Sequence, residues 1–390
     1  MYWVGGNDRR KALFESVYPI PRGVSYNSYL VLDEKTVLLD TVDKEVSDIF
    51  LDGVEHLLSG RQLDYVIVNH MEPDHAATLG ELVVRHPEVR IVCNAKTADM
   101  IKQFFAFDID SRAHLVKEGD TLCTGRHIFT FVMAPLVHWP EVMVTYDMTE
   151  ETLYSADAFG SFGALNGNIF ADESTPDMSE YRRYYTNIVG KYGVQVKALL
   201  NKAQSLRISM ICPLHGLIWR KDIDNLIQKY AKWSAYEPEI KGVLIAYSSV
   251  YGNTQSAAEI VANRLGEQGV KNIQMYDVSV THPSYVVAEA FRYSHIVFAT
   301  TTYNGGIFVT MENLLLDLKA HNLQNRAVAL IENGTWAATA AGQMKNILSS
   351  MKGMNVIANP VTLKSSVKPE KRDELIALAD AICETLKKRY

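Results

Sequence analysis

Apolar residues recur along the chain in short runs bounded by polar turns, and the rhythm of those runs changes near residue 240. Upstream, β-branched and aromatic runs predict strands at 25–33 and 36–42, separated by the turn signal Asp33-Glu34-Lys35, and another at 63–70. Further strands are predicted at 127–135, 142–147, 152–157 and 208–214, whereas 176–204 and 220–236 carry helical spacing. Antiparallel-looking strands with helices outside them suggest a layered α/β sandwich. After Tyr236-Glu237-Pro238 strands and helices alternate strictly. Strands at 242–248, 272–278, 295–301 and 327–334 are followed by helices at 253–265, 283–291, 309–319 and 339–350, and a last helix covers 369–388. That alternation predicts a doubly wound parallel sheet. The chain reads as α/β throughout, with domains at 1–240 and 241–390.

Composition narrows the function. A chain of 390 residues that is 47% hydrophobic can build two substantial cores. Its net charge of −6 provides no basic excess for phosphates, which argues against nucleic-acid binding. No apolar run is long enough to span a membrane, and the N-terminal MYWVGGNDRRKALF lacks the pattern of a secretory signal. Cys93, Cys123, Cys212 and Cys383 form no Cys-x-x-Cys pair. They fit a reducing cytoplasm and exclude a cysteine-ligated zinc, iron or iron–sulfur site.

The strand at 63–69 runs into Asn69-His70-Met71-Glu72-Pro73-Asp74-His75. Four potential metal ligands crowd one strand end, and Pro73 holds Glu72 in extended geometry, stiffening the loop. A stiff loop of this kind can present two ligand sets to two neighbouring metals. His138, Asp157 and His215 also follow predicted strands, where loops on a rigid sheet carry function. Each alone reads as an ordinary turn residue, as do the remaining histidines. They gain weight only as a set.

With these residues in view, the first half resembles the metallo-β-lactamase superfamily, whose hydrolases carry His-x-His-x-Asp-His followed by His, Asp and His. Here Glu72 stands in place of the second histidine, and the resulting His-x-Glu-x-Asp-His resembles the flavodiiron proteins. The substitution gives four imidazoles and three carboxylates, a harder donor set that favours redox-active iron over zinc. The resemblance implies that one iron takes His70, Glu72 and His138, that the other takes Asp74, His75 and His215, and that Asp157 bridges them.

In the second half, Ser248-Ser249-Val250-Tyr251-Gly252-Asn253-Thr254 joins the first strand to a helix. Hydroxyls, a glycine and a helix N-terminus make a phosphate cradle. It lacks the Gly-Lys-Ser/Thr of a nucleotide P-loop and the spacing of a dinucleotide fold. At the same sheet edge follow Thr300-Thr301-Thr302-Tyr303-Asn304-Gly305-Gly306 and Glu332-Asn333-Gly334-Thr335-Trp336. Each offers an aromatic and glycine-exposed backbone suited to a planar ring. The three loops resemble those of flavodoxins, which bind FMN. They depart from the commoner Thr-Gly-x-Thr by Tyr251, and the third loop has fewer glycines than many relatives.

Together the halves resemble a class A flavodiiron protein: an αββα metallo-β-lactamase-like sandwich followed by a flavodoxin-like domain. The resemblance implies two Fe and FMN, reduction of dioxygen to water and/or nitric oxide to nitrous oxide, and rubredoxin or a similar small carrier as electron donor. It also implies a cytoplasmic head-to-tail homodimer or dimer of dimers. The same resemblance implies that Tyr26, at a strand end, can approach the metals, as can Tyr184 or Tyr185, and Trp139 reads as a pocket wall. Two other readings compete: a dinuclear zinc hydrolase with a flavodoxin-like module, and an electron-transfer flavoprotein without metals.

Overall fold

A computed structural model describes residues 1–388. The chain divides into two compact units, Met1–Ala231 and a second from Lys232 onward. The segment leading from 232 to the strand Ile240–Tyr247 packs with the second unit: the Trp233 indole N–H donates to Glu239, and the Tyr236 carbonyl accepts from the buried Arg326 guanidinium.

In the first unit, two sheets face each other. One runs in the order Tyr2–Trp3, Tyr29–Val31, Val37–Leu39, Tyr65–Ile67, Arg90–Cys93, Ala113–Leu115; the other in the order Thr121–Cys123, Ile128–Met133, Met143–Asp147, Thr152–Tyr154, Met210–Cys212. Between them Tyr29, Val37, Leu39, Ile67 and Val92 meet Phe129, Phe131, Met143, Tyr154 and Cys212 in one apolar cluster. This is the expected αββα sandwich.

Three local expectations are corrected. The strand expected at 25–33 is broken into Val24–Tyr26, which pairs with Gly6–Asp8, and Tyr29–Val31 in the main sheet. The break lies at Asn27, whose amide donates to the Pro213 and Gly216 carbonyls, and at Ser28, whose hydroxyl donates to the Asp40 carbonyl. The first sheet is not antiparallel throughout, because helical crossovers make its strands from Val37–Leu39 to Ala113–Leu115 parallel. The helical run at 176–204 is interrupted: Met178–Tyr184 is α-helical, Tyr185–Val189 widens to a π-turn, Gly190–Tyr192 tightens to 3-10, and Gly193–Ala203 is α-helical again. Helices Ser47–Leu58 and Ala95–Phe104 and the strand Arg90–Cys93 are additional to the elements that the pattern of apolar positions predicts.

The second unit is the expected parallel sheet. Its order is Ile273–Asp277, Ile240–Tyr247, Tyr293–Tyr303, Ala327–Asn333, with Asn355–Val356 and Val361–Leu363 at the far edge. Alternation sends Val243, Ile245, Val297, Ala299 and Ile331 into one layer with the helices Asn253–Glu267 and Pro369–Lys388. The intervening residues, among them Leu244, Phe298 and Leu330, are equally buried, so the sheet is covered on both faces.

Candidate metal centre and flavin site

The strand Tyr65–Ile67 delivers its ligand loop under tight control. Asp40 accepts from the backbone N–H groups of Asn69 and His70 at 2.7 and 3.2 Å and from the Asn69 amide at 2.7 Å. Glu141 accepts from the His70 ring at 2.8 Å and from the Met71 N–H at 2.9 Å. The loop is extended only as far as Glu72 (ψ 138°), where Pro73 starts the helical turn Pro73–Ala76. The change of geometry sends Asp74 and His75 in a different direction from His70 and Glu72.

All seven expected ligands come together in two groups. His70, Glu72, His138 and Asp157 form one; Asp74, His75 and His215 form the other. Glu72 Oε2 lies 3.2 Å from His70 Nε2 and 3.0 Å from His138 Nε2. In the second group the Nε2 atoms of His75 and His215 face each other at 2.9 Å, each 3.3 Å from Asp74 Oδ2. Asp157 spans both: Oδ2 is 3.1 Å from His138 Nε2, and Oδ1 is 3.2 Å from His75 Nε2.

These donors fit a metal pair. Every one of the seven residues is buried, yet both Asp74 oxygens, His138 Nε2 and Asp157 Oδ1 make no hydrogen bond among the described residues. Orphaned buried polar atoms are costly unless something binds them. Outer partners set the tautomers: His215 Nδ1–H donates to the Ser25 carbonyl at 2.7 Å, and His70 Nδ1 faces Glu141, so both Nε2 lone pairs point inward. Burial opposes charge on His138, but the adjacent Asp157 and Glu72 carboxylates prevail and raise it to about 9. Burial likewise opposes the Asp157 charge, and the surrounding His75 and His70 overcome it, holding that carboxyl well below the usual range.

The aromatic wall sorts the tyrosines. The buried Tyr184 hydroxyl has no hydrogen-bond partner among the described residues, and burial and then the charges of Asp157, Asp74 and Glu72 hold it strongly protonated. Tyr185, on the π-turn, packs against Tyr230 with ring centroids 4.9 Å apart. Tyr26 sets its ring edge-on to His215 at 5.7 Å and accepts at its hydroxyl from Lys11 Nζ, which is also 2.7 Å from Asp43. Trp139 stands edge-on to His70 at 5.4 Å. Sequence reasoning missed Glu141, Asp40, Lys11 and Ser25. Asp40, a strand-end acid like Asp157, could have been found by the same rule.

In the second unit a cavity of about 550 Å³ gathers residues from all three predicted loops. Ser249, Val250, Tyr251, Asn253, Thr254, Thr301, Thr302, Tyr303, Asn304, Gly305, Asn333, Gly334, Thr335 and Trp336 line it, joined by the unforeseen Ala337 and Ser365. Three predicted residues lie off its lining. Ser248 is buried with its hydroxyl 2.7 Å from that of Thr300, Gly252 turns the chain at φ +86° into the helix behind, and Gly306 lies in the short strand Gly306–Ile307. Thr254 and Thr301 hydroxyls sit 3.0 Å apart at the cradle, and Gly305, at φ +74°, leaves open space where a Cβ would stand. Tyr251 and Trp336 are 92% and 94% exposed, apolar faces left in water beside a cavity. Hydroxyls, a helix N-terminus and unpartnered aromatic faces fit a flavin phosphate and ring.

Comparison with known proteins agrees with both halves. Residues 24–216 match the family described as ODP family beta lactamase, and residues 245–377 match the flavodoxin family. A nitric oxide reductase of Moorella thermoacetica is 30% identical over 365 residues, covering 92% of this chain and 90% of that protein. The chain belongs to the flavodiiron proteins. An anaerobic nitric oxide reductase flavorubredoxin of Aeromonas hydrophila is 29% identical over 378 residues, covering 95% of this flavodiiron protein and 75% of its own length. Among solved structures, rubredoxin oxygen:oxidoreductase from Desulfovibrio gigas superposes with a TM-score of 0.92 at 28% identity, covering 99% of this chain and 96% of that one. As a flavodiiron protein, the chain is an oxidoreductase.

Proposed function

We propose that this flavodiiron protein reduces dioxygen to water, nitric oxide to nitrous oxide, or both, at a diiron centre held by His70, Glu72, Asp74, His75, His138, Asp157 and His215. The observation that carries the reading is Asp157, which gives one carboxylate oxygen to each ligand group. FMN would be held by the three loops of the second unit, with its phosphate at Ser249, Asn253 and Thr254. When bound, a ferrous pair and reduced FMN supply the four electrons that dioxygen needs, or the two that a pair of nitric oxide molecules needs.

The chain's own contribution follows from its side chains. Trp139, Phe162 and Tyr184 wall the buried donors and keep bulk water from them. Tyr184 holds a proton on an oxygen with no competing acceptor among the described residues, ready to donate to a small ligand between the two groups. Tyr26 stands on the other wall, its hydroxyl supplied by Lys11. Tyr184→Phe should lower kcat about 10-fold or more, the scale of a lost positioned proton donor. Stability should not fall, because the phenol hydroxyl is buried unpaired; iron content, thermal melting and turnover measured together check this. Equal kcat in the variant would remove Tyr184 from catalysis.

A small electron carrier of the rubredoxin kind is the proposed donor. The names of two relatives, rubredoxin oxygen:oxidoreductase and flavorubredoxin, support it, as does the absence of any cysteine cluster among Cys93, Cys123, Cys212 and Cys383. The four free thiols fit a cytoplasmic setting, and no described helix is long and apolar enough to cross a membrane. We further propose a head-to-tail homodimer in which the FMN of one copy serves the metals of the other. Mixing an iron-free His70→Ala variant with a flavin-free variant should then restore turnover as mixed dimers form; inactive mixed dimers would refute it.

The whole reading is tested by metal and flavin analysis of the purified protein, followed by anaerobic turnover of each gas with a chemically reduced donor. About two irons and one FMN per chain, with gas consumption, are expected. Stoichiometric zinc and hydrolase activity would replace this reading with the hydrolase one.

A further inference from the structure

The four histidines of the metal groups are not held alike behind their rings. His215 Nδ1 donates to a neutral backbone carbonyl, that of Ser25. His75 Nδ1 is buried and has no partner among the described residues. His70 Nδ1 instead meets a carboxylate, Glu141 Oε1, at 2.8 Å. Glu141 is 1% exposed, and its second oxygen has no hydrogen-bond partner among the described residues. Beside it lies a shallow groove of about 370 Å³, lined by Leu115, Met133, Pro140 and Val142 and also by the charged Lys96, Lys117 and Glu118. A carboxylate whose side chain is buried from solvent is poorly screened, so its charge acts strongly on the one ring it touches.

Resting on the diiron reading above, we propose that Glu141 is a positioning residue that makes His70 a stronger donor than His75 and His215 and so makes the two iron subsites unequal. By accepting the Nδ1 proton it fixes the tautomer and pushes electron density toward Nε2. A richer donor favours ferric over ferrous iron, so the iron at His70, Glu72 and His138 becomes the harder of the two to reduce. The second subsite, backed only by the Ser25 carbonyl, lacks that bias.

The experiment separates charge from scaffolding. Glu141→Gln keeps an oxygen that can accept from His70 and Met71 but removes the charge; Glu141→Asp keeps the charge and retracts it. Iron content, chelator release and the two one-electron potentials, followed by the EPR signal of the mixed-valent state, are measured in each. Glu141→Gln should keep two irons, raise the potential of one step while leaving the other in place, and release one iron about 10–100-fold faster. Glu141→Asp should shift the same step less, in the same direction. Asp147→Asn, at the buried His127–Asp147 pair (2.6 Å) outside the site, should move neither potential. Unchanged potentials in Glu141→Gln, or equal shifts of both steps, would overturn the proposal. If Glu141→Gln does not fold, Glu141→Asp decides, and wild-type potentials there would overturn it. Wild-type protein lacking iron would instead refute the diiron reading itself.

Discussion

Asp157→Ala should yield a folded protein that has lost most of its iron and all measurable turnover. The side chain is 2% exposed and is shared between both ligand groups, so its loss removes an anion from each at once. Removing a group that only supports a ligand costs about 10–100-fold in metal affinity, and loss of a shared ligand should exceed ~100-fold. The fold should survive, because the core between the sheets is built from Phe129, Phe131, Leu39 and their neighbours. His127→Ala, which breaks a buried pair with Asp147 outside the site, should cost stability and leave iron untouched. Elemental analysis beside a thermal melt reads both effects. An Asp157→Ala protein with full iron would remove the bridge.

Gly334→Ala should empty the flavin site and leave the iron in place. A Cβ on Gly334 would stand 2.8 Å from Ala338 Cα and 2.9 Å from the Ala337 carbonyl oxygen, both backbone atoms of its own loop. The loop has little freedom to give way, since Asn333 bonds Ser365 twice, at 2.9 Å each. Overpacking of this kind costs about 1–3 kcal/mol, and each ~1.4 kcal/mol is a factor of ten in affinity. FMN retained through gel filtration, and its dissociation constant on back-titration, measure the loss. Gly342→Ala, in a helix with open space around it, is the control and should bind FMN normally. Wild-type flavin affinity in Gly334→Ala would mean that this loop does not border the flavin.

The metal ligands were legible because each sits at or just beyond a strand end, in a segment whose residue types are rare outside ligand sets. Their support was not. Glu141, Ser25 and Lys11 act through hydrogen bonds to residues distant in sequence, and no spacing announces such a bond. Tyr184 and Tyr185 could not be separated in the sequence either, since neighbours on one helical run look equivalent. The π-turn beginning at Tyr185 distinguishes them, and its cause is tertiary. In the flavin domain the strict alternation of strand and helix made the architecture readable. Ser365 remained hidden because it reaches the cavity from a loop with no glycine signal.

The exposed indole beside the flavin cavity has a practical consequence. Of the tryptophans at 3, 139, 219, 233 and 336, the third and fourth are buried and the first two are partly shielded, whereas Trp336 is 94% exposed. Its fluorescence should therefore dominate the red edge of the protein's emission. An isoalloxazine ring in the cavity it lines would quench that edge by accepting the excitation. Flavin loading, release and exchange can thus be followed in real time in the unmodified protein, at a wavelength where the shielded indoles contribute little.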